Sequence, residues 1–141
     1  MRQHEILSHT ADVRVRAVGS TRAALIEAAL QGMFAAAGPR TASVEGGEPE
    51  EPVERSFEVK SADFPALLVD LLNEALFNSD TRHEAYEALR FTLITDTDAK
   101  GVFLGRPIAG FETQIKAATH AGLEAKKNEE GNWEATITFD A

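Results

Sequence analysis

Residues 8–38 read SHTADVRVRAVGSTRAALIEAALQGMFAAAG, and the two halves of that stretch carry different periods. Val13, Val15 and Ala17 alternate with Arg14 and Arg16, the period of two expected of a strand with one buried face. Gly19 ends the alternation. Ser20 or Thr21 can then cap a helix over residues 22–37, with Leu25, Ala28, Ala29, Met33 and Ala36 along one face. Gly38-Pro39 stops that helix.

Working outward, residues 3–8 form a short strand candidate, and 53–60 (VERSFEVK) form another. The segment SVEGGEPEEPVE between helix and strand is rich in Gly, Pro and Glu and reads as a solvated acidic loop. Asp63 can cap a second helix with Pro65 in its first turn, where a missing N–H costs little. Phe64, Leu67, Leu68, Leu71, Leu72, Ala75 and Leu76 make this the expected central core helix.

From Glu84 onward the pattern is mainly of strands: 87–95, a turn at 96–101, 102–108, 113–125, a turn at 126–132, and 133–140. In the last of these, Trp133, Ala135, Ile137 and Phe139 alternate with Glu134, Thr136, Thr138 and Asp140. Helices and strands are segregated along the chain, which predicts an α+β fold of mostly antiparallel sheet packed with two main helices. The 141 residues are expected to form a single domain, 1–141.

Composition excludes several function classes. A net charge of −9 argues against a primary nucleic-acid binder and suits a basic partner surface or cations. The chain has no cysteine, which removes disulfides, thiolate metal sites and a Cys nucleophile. The beginning, MRQHE, lacks a signal peptide's apolar stretch, so a cytoplasmic location is expected.

The candidate chemistry is equally narrow. Asp96–Gly101 fails as a calcium loop, because the fifth position is Lys100 and the twelfth is Pro107. His4, His9, His83 and His120 have no zinc spacing. Ser8, His9 and Asp12 lie too close along one extended segment for a nucleophilic triad. What remains is Asp12 and the closing pair Asp140-Ala141, where a side-chain carboxylate stands beside the α-carboxylate expected on Ala141. Periodicity alone leaves Asp12 as a turn cap and that end of the chain as solvated.

Five motifs together resemble the archease family. They are HTADVRVRA at 9–17, AALQGMFAAA at 28–37, LLVDLLNEALF at 67–77, IKAATHAGLEAKK at 115–127 and GNWEATITFDA at 131–141. The resemblance implies the archease-like fold and no catalytic residue. It also implies a role as activator of an RtcB-type tRNA-splicing and RNA-repair ligase, promoting guanylylation and multiple turnover. It places a divalent metal on Asp12, Asp140 and Ala141, with Ca2+ expected and Mg2+ or Mn2+ as alternatives, and gives Lys116 a part in activation. The family's TYH becomes Thr119-His120-Ala121 here, which shifts the histidine by one residue and carries no role onto His120. The competing expectations are a general chaperone or scaffold with structural terminal acids, and a metal-dependent hydrolase.

Overall fold

The computed structural model describes residues 2–8, 12–41 and 51–141. His9, Thr10 and Ala11 of the HTAD motif, and most of the acidic stretch at 43–54, lie outside the described residues.

The alternating valines form β2 (Asp12–Gly19), which pairs antiparallel with β1 (Arg2–Ser8) on one side and with β9 (Trp133–Asp140) on the other. The far side of β9 carries two short strands, β7 (Ala117–Thr119) opposite 138–140 and β8 (Ala125–Lys127) opposite 133–135. These five strands make the first sheet. The second is built on the long β6 (Asp98–Phe111), flanked by β4 (Val53–Lys60) and β5 (Glu84–Ile94), with β3 (Pro39–Thr41) on its C-terminal end. All ladders among the described residues are antiparallel, so the α+β class holds, with the strands divided between two sheets.

The two helices join the sheets. The first, α1 (Arg22–Ala37), packs on β1 and β2 of one sheet and on β5 of the other. Thr21 caps it by accepting from the Ala24 N–H at 3.0 Å. Gly38, at φ 64°, closes it in the left-handed conformation that a Cβ would penalise. Because α1 is clasped from two sides, its buried surface exceeds the single expected face. Leu25, Ala28, Ala29 and Met33 are buried, but so are Ile26, Leu30, Phe34 and Ala37, while Ala36 is only half-buried.

The second helix, α2 (Phe64–Arg82), touches β4, β5, β6 and β7, with Asp63 accepting from the Ala66 N–H at 2.9 Å. Between the layers an aromatic chain runs Phe57–Phe103–Tyr86–Phe34, with centroid spacings of 4.6, 5.2 and 5.8 Å. Such pairs add about 0.5–1.5 kcal/mol each beyond the area they bury.

Two stretches differ from the sequence pattern. Residues 113–125 do not form one strand: Gly122, at φ 64°, sits in a turn that separates β7 from β8. The expected turn at 96–101 contracts, with the Thr95 N–H donating to the Asp98 carbonyl at 2.9 Å, and β6 starts at Asp98. Strand β3 pairs for three residues only and has too little sequence to show a period.

Candidate functional site

Inward placement of Val15, Ala17, Ala135, Ile137 and Phe139 on the first sheet fixes what faces outward. Asp12 on β2 stands directly opposite Asp140 on β9, and both are exposed. Directly opposed residues share a sheet face, with Cβ atoms about 4.5–5.5 Å apart. On the other side of β9, Ala117 stands opposite Asp140, and the Lys116 N–H donates to the Asp140 carbonyl at 2.7 Å. Ala141 follows Asp140 and is exposed. One end of this sheet therefore gathers Asp12, Asp140, Ala141 and the backbone of Lys116, residues that span almost the whole chain.

Lys116 also borders a second surface. It lines a groove of about 510 Å³ with Asn73, Leu76, Phe77 and Asp80 of α2 and with Gln114. Among the described residues, the side chains of Asp12, Asp80, Lys116 and Asp140 have no hydrogen-bond or ion-pair partner. Many other charges are paired, including Arg16 with Glu134, Arg22 with Asp96 at 2.6 Å and Lys126 with Glu124 at 3.1 Å.

Two carboxylates held face to face repel unless something positive neutralises them. Their hard oxygen donors suit Ca2+, Mg2+ or Mn2+ and not a thiophilic ion. Among the described residues no three His, Cys, Asp or Glu side chains cluster as a metal site. Asp12 and Asp140 would supply two side-chain donors to such an ion, and no third carboxylate or imidazole among the described residues joins them. The donor chemistry fits a divalent cation.

Two residues near this end escaped the sequence pattern. Asn73 clamps the outer edge of β7: its amide donates to the Ala118 carbonyl at 3.1 Å and accepts from the Ala118 N–H at 2.7 Å. An amide standing among the leucines of LLVDLLNEAL was the available signal. Phe77 is the other, 66% exposed on a helix whose other large apolar residues are buried or half-buried. The exposed His120 contributes its carbonyl to a turn, accepting from the Leu123 N–H at 3.1 Å.

A separate polar cluster lies in the second sheet. Arg55 holds buried Glu84 with two hydrogen bonds, Nε to Oε1 at 2.8 Å and Nη2 to Oε2 at 2.6 Å. The Tyr86 hydroxyl donates to Glu84 Oε1 at 2.8 Å. The Arg55 guanidinium holds the Glu84 carboxyl below the usual carboxylate range against the opposing effect of burial. Burial, then the bond to Glu84, pushes the Tyr86 phenol well above its usual value. With Glu84 and Tyr86 buried and Arg55 half-buried, the cluster ties β4 to β5 across β6.

Residues 4–141 match the model of the Archease protein family (MTH1598/TM1083). Protein archease of Methanosarcina barkeri is 29% identical over 147 residues, covering 99% of this chain and 96% of the relative. Protein archease of Thermococcus kodakarensis is also 29% identical, covering 99% of each chain. The solution structure of Methanobacterium thermoautotrophicum protein 1598 aligns with a TM-score of 0.67 at 27% identity, over 98% of both chains. The crystal structure of a Thermotoga maritima archease, described as a possible chaperone, aligns with a TM-score of 0.62 at 18% identity, over 97% of this chain and 96% of that one. Its identity is low enough to speak for the fold alone. With a family match over nearly the entire chain and the fold shared, this protein belongs to the archease family.

Proposed function

We propose that this protein is a non-catalytic activator of an RtcB-type RNA ligase, promoting guanylylation and multiple turnover of that enzyme. In this reading Asp12, Asp140 and Ala141 hold a divalent cation, Ca2+ in the first instance, and Lys116 acts beside them. The observation that carries it is the register that sets Asp12 opposite Asp140, with the Lys116 N–H on the Asp140 carbonyl. Two unpaired carboxylates in that arrangement are of use chiefly when a cation or a basic partner group joins them. The acidic balance of the chain suits a protein that meets a basic ligase surface and leaves the RNA to the ligase.

The test adds the purified protein to a cognate ligase with GTP and Mn2+ and follows ligase guanylylation over many turnovers. Acceleration by the wild type that is lost in Asp12→Ala and Asp140→Ala supports both the activity and the site. No acceleration by the wild type removes the activity, and full acceleration by both variants removes the site.

A further inference from the structure

Strand β7 has three residues, the lower limit of strand length, yet it forms one side of the carboxylate end. Ala117 stands opposite Asp140, and the Lys116 N–H donates to the Asp140 carbonyl at 2.7 Å. That carbonyl belongs to the planar peptide joining Asp140 to Ala141. The Lys116 N–H therefore sets the plane of that peptide and the direction in which Ala141 leaves the sheet. From the other side β2 holds Asp140 through its pairing with Asp12. Of these two neighbours β7 is the weaker, with three paired residues against eight.

What β7 lacks in length is supplied by side chains. The Thr119 hydroxyl donates to the Thr138 carbonyl at 2.9 Å on the β9 side. On the opposite edge Asn73 of α2 takes both backbone groups of Ala118, donating to its carbonyl at 3.1 Å and accepting from its N–H at 2.7 Å. These are the two bonds that a residue of a further antiparallel strand would make. The mount is firm, because Leu71 and Leu72 beside Asn73 are fully buried in the core. Ala118 is itself buried, so water is a poor substitute for the amide. Removing groups that orient a metal's ligands from behind typically costs ~10–100-fold in metal affinity.

We propose that Asn73 is a positioning residue for the carboxylate end: by clamping Ala118 it holds β7, and through the Lys116 N–H it fixes the Asp140–Ala141 peptide for cation binding. This rests on the reading of Asp12, Asp140 and Ala141 as a cation site, and adds the residue that couples that site to α2. By linkage the coupling is reciprocal, so a bound cation must in turn steady β7. A clamp that served stability alone has no such consequence.

The test measures Ca2+ affinity by calorimetry for the wild type, Asn73→Ala and Glu84→Gln, at a temperature where circular dichroism shows all three folded. Glu84→Gln is the control, since it loosens the second sheet and leaves β7 untouched. The expected result is a roughly tenfold weaker Ca2+ affinity in Asn73→Ala and wild-type affinity in Glu84→Gln. Hydrogen exchange on the wild type gives a readout that needs no variant and decides the matter if Asn73→Ala does not fold. Ca2+ should slow the Lys116 and Ala118 amides more than the Leu89 amide, which Glu27 holds in the second sheet. Wild-type affinity in Asn73→Ala, or Ca2+ that slows those amides no more than Leu89, overturns the proposal and leaves buried Ile115 to hold β7. An equal loss in Glu84→Gln also overturns it, because affinity would then follow stability alone. A wild type with no Ca2+ affinity overturns the cation reading itself, and the proposal with it.

Discussion

Asp12 and Asp140 face each other across the β2–β9 ladder, 128 positions apart in the chain and on the same face of one sheet. Like charges directly opposite each other weaken a strand pair by about 0.2–1 kcal/mol, less at high salt. Asp12→Asn is therefore expected to melt at or slightly above the wild-type temperature in chelator. Millimolar Ca2+ is expected to raise the melting temperature of the wild type and to leave Asp12→Asn nearly unmoved, reversing the order. Differential scanning fluorimetry in both conditions checks this, and an unresponsive wild type would remove the cation from the site.

Lys116 meets the carboxylate end through its backbone N–H and is also one of the residues that line the groove beside α2. Lys116→Ala keeps the N–H on the Asp140 carbonyl, so the Ca2+-induced melting shift should match the wild type. Ligase activation should fall. A loss of the Ca2+ shift in this variant would mean that the ammonium group belongs to the carboxylate end.

Asn73 acts as a substitute neighbour for β7, pairing with both backbone groups of Ala118 on the strand's free edge. Asn73→Ala leaves an N–H and a carbonyl without partners, at a cost of about 1–3 kcal/mol. Asn73→Asp keeps the acceptor for the Ala118 N–H but sets a carboxylate against the Ala118 carbonyl, and should be no better. Hydrogen exchange should speed up at Ala118 and Lys116 before it does in β2. Unchanged exchange at both amides would show that β7 needs no clamp.

Glu84 carries the pH dependence. Its folded pKa is lowered, so its contribution is fully present above the unfolded value of ~4.3 and is lost as pH falls through the folded one. Glu84→Gln should destabilise the protein at pH 7, because it sets a neutral amide against the Arg55 guanidinium. Denaturant melts should show the gap between variant and wild type closing in acid. A gap that stays constant to pH 2 would contradict the ion pair.

Tyr86 gives the opposite sign. Its folded pKa is raised, so stability is kept below the unfolded value of about 10 and declines as pH rises above it. It is the chain's one tyrosine, so phenolate absorbance reports it without interference. The native protein should show no phenolate near pH 10, and denaturant should release an ordinary titration. A native phenol that titrates normally would place Tyr86 outside the network.

Helix limits were legible because their signals are local. Thr21, Gly38, Asp63 and Pro65 each act within one turn of the residue they cap, and α1 spans the expected 22–37. The extent of burial around α1 was not legible, since it depends on a second sheet made from β3, β4, β5 and β6. The break between β7 and β8 turned on the left-handed conformation of Gly122, a residue that extended backbone also tolerates.

By itself the sequence determined the class of fold, the caps and the inward face of β9, which rest on neighbours a few residues apart or on residue type. The candidate pair Asp12 and Asp140 was implied by the family resemblance. Only the tertiary structure decided that those aspartates oppose each other, that the Lys116 N–H reaches the Asp140 carbonyl, and that Phe77 and Lys116 line one groove. Strand register and helix docking set those relations. They arise from burying Val15, Ile137 and Phe139 together, a condition no local stretch of chain contains.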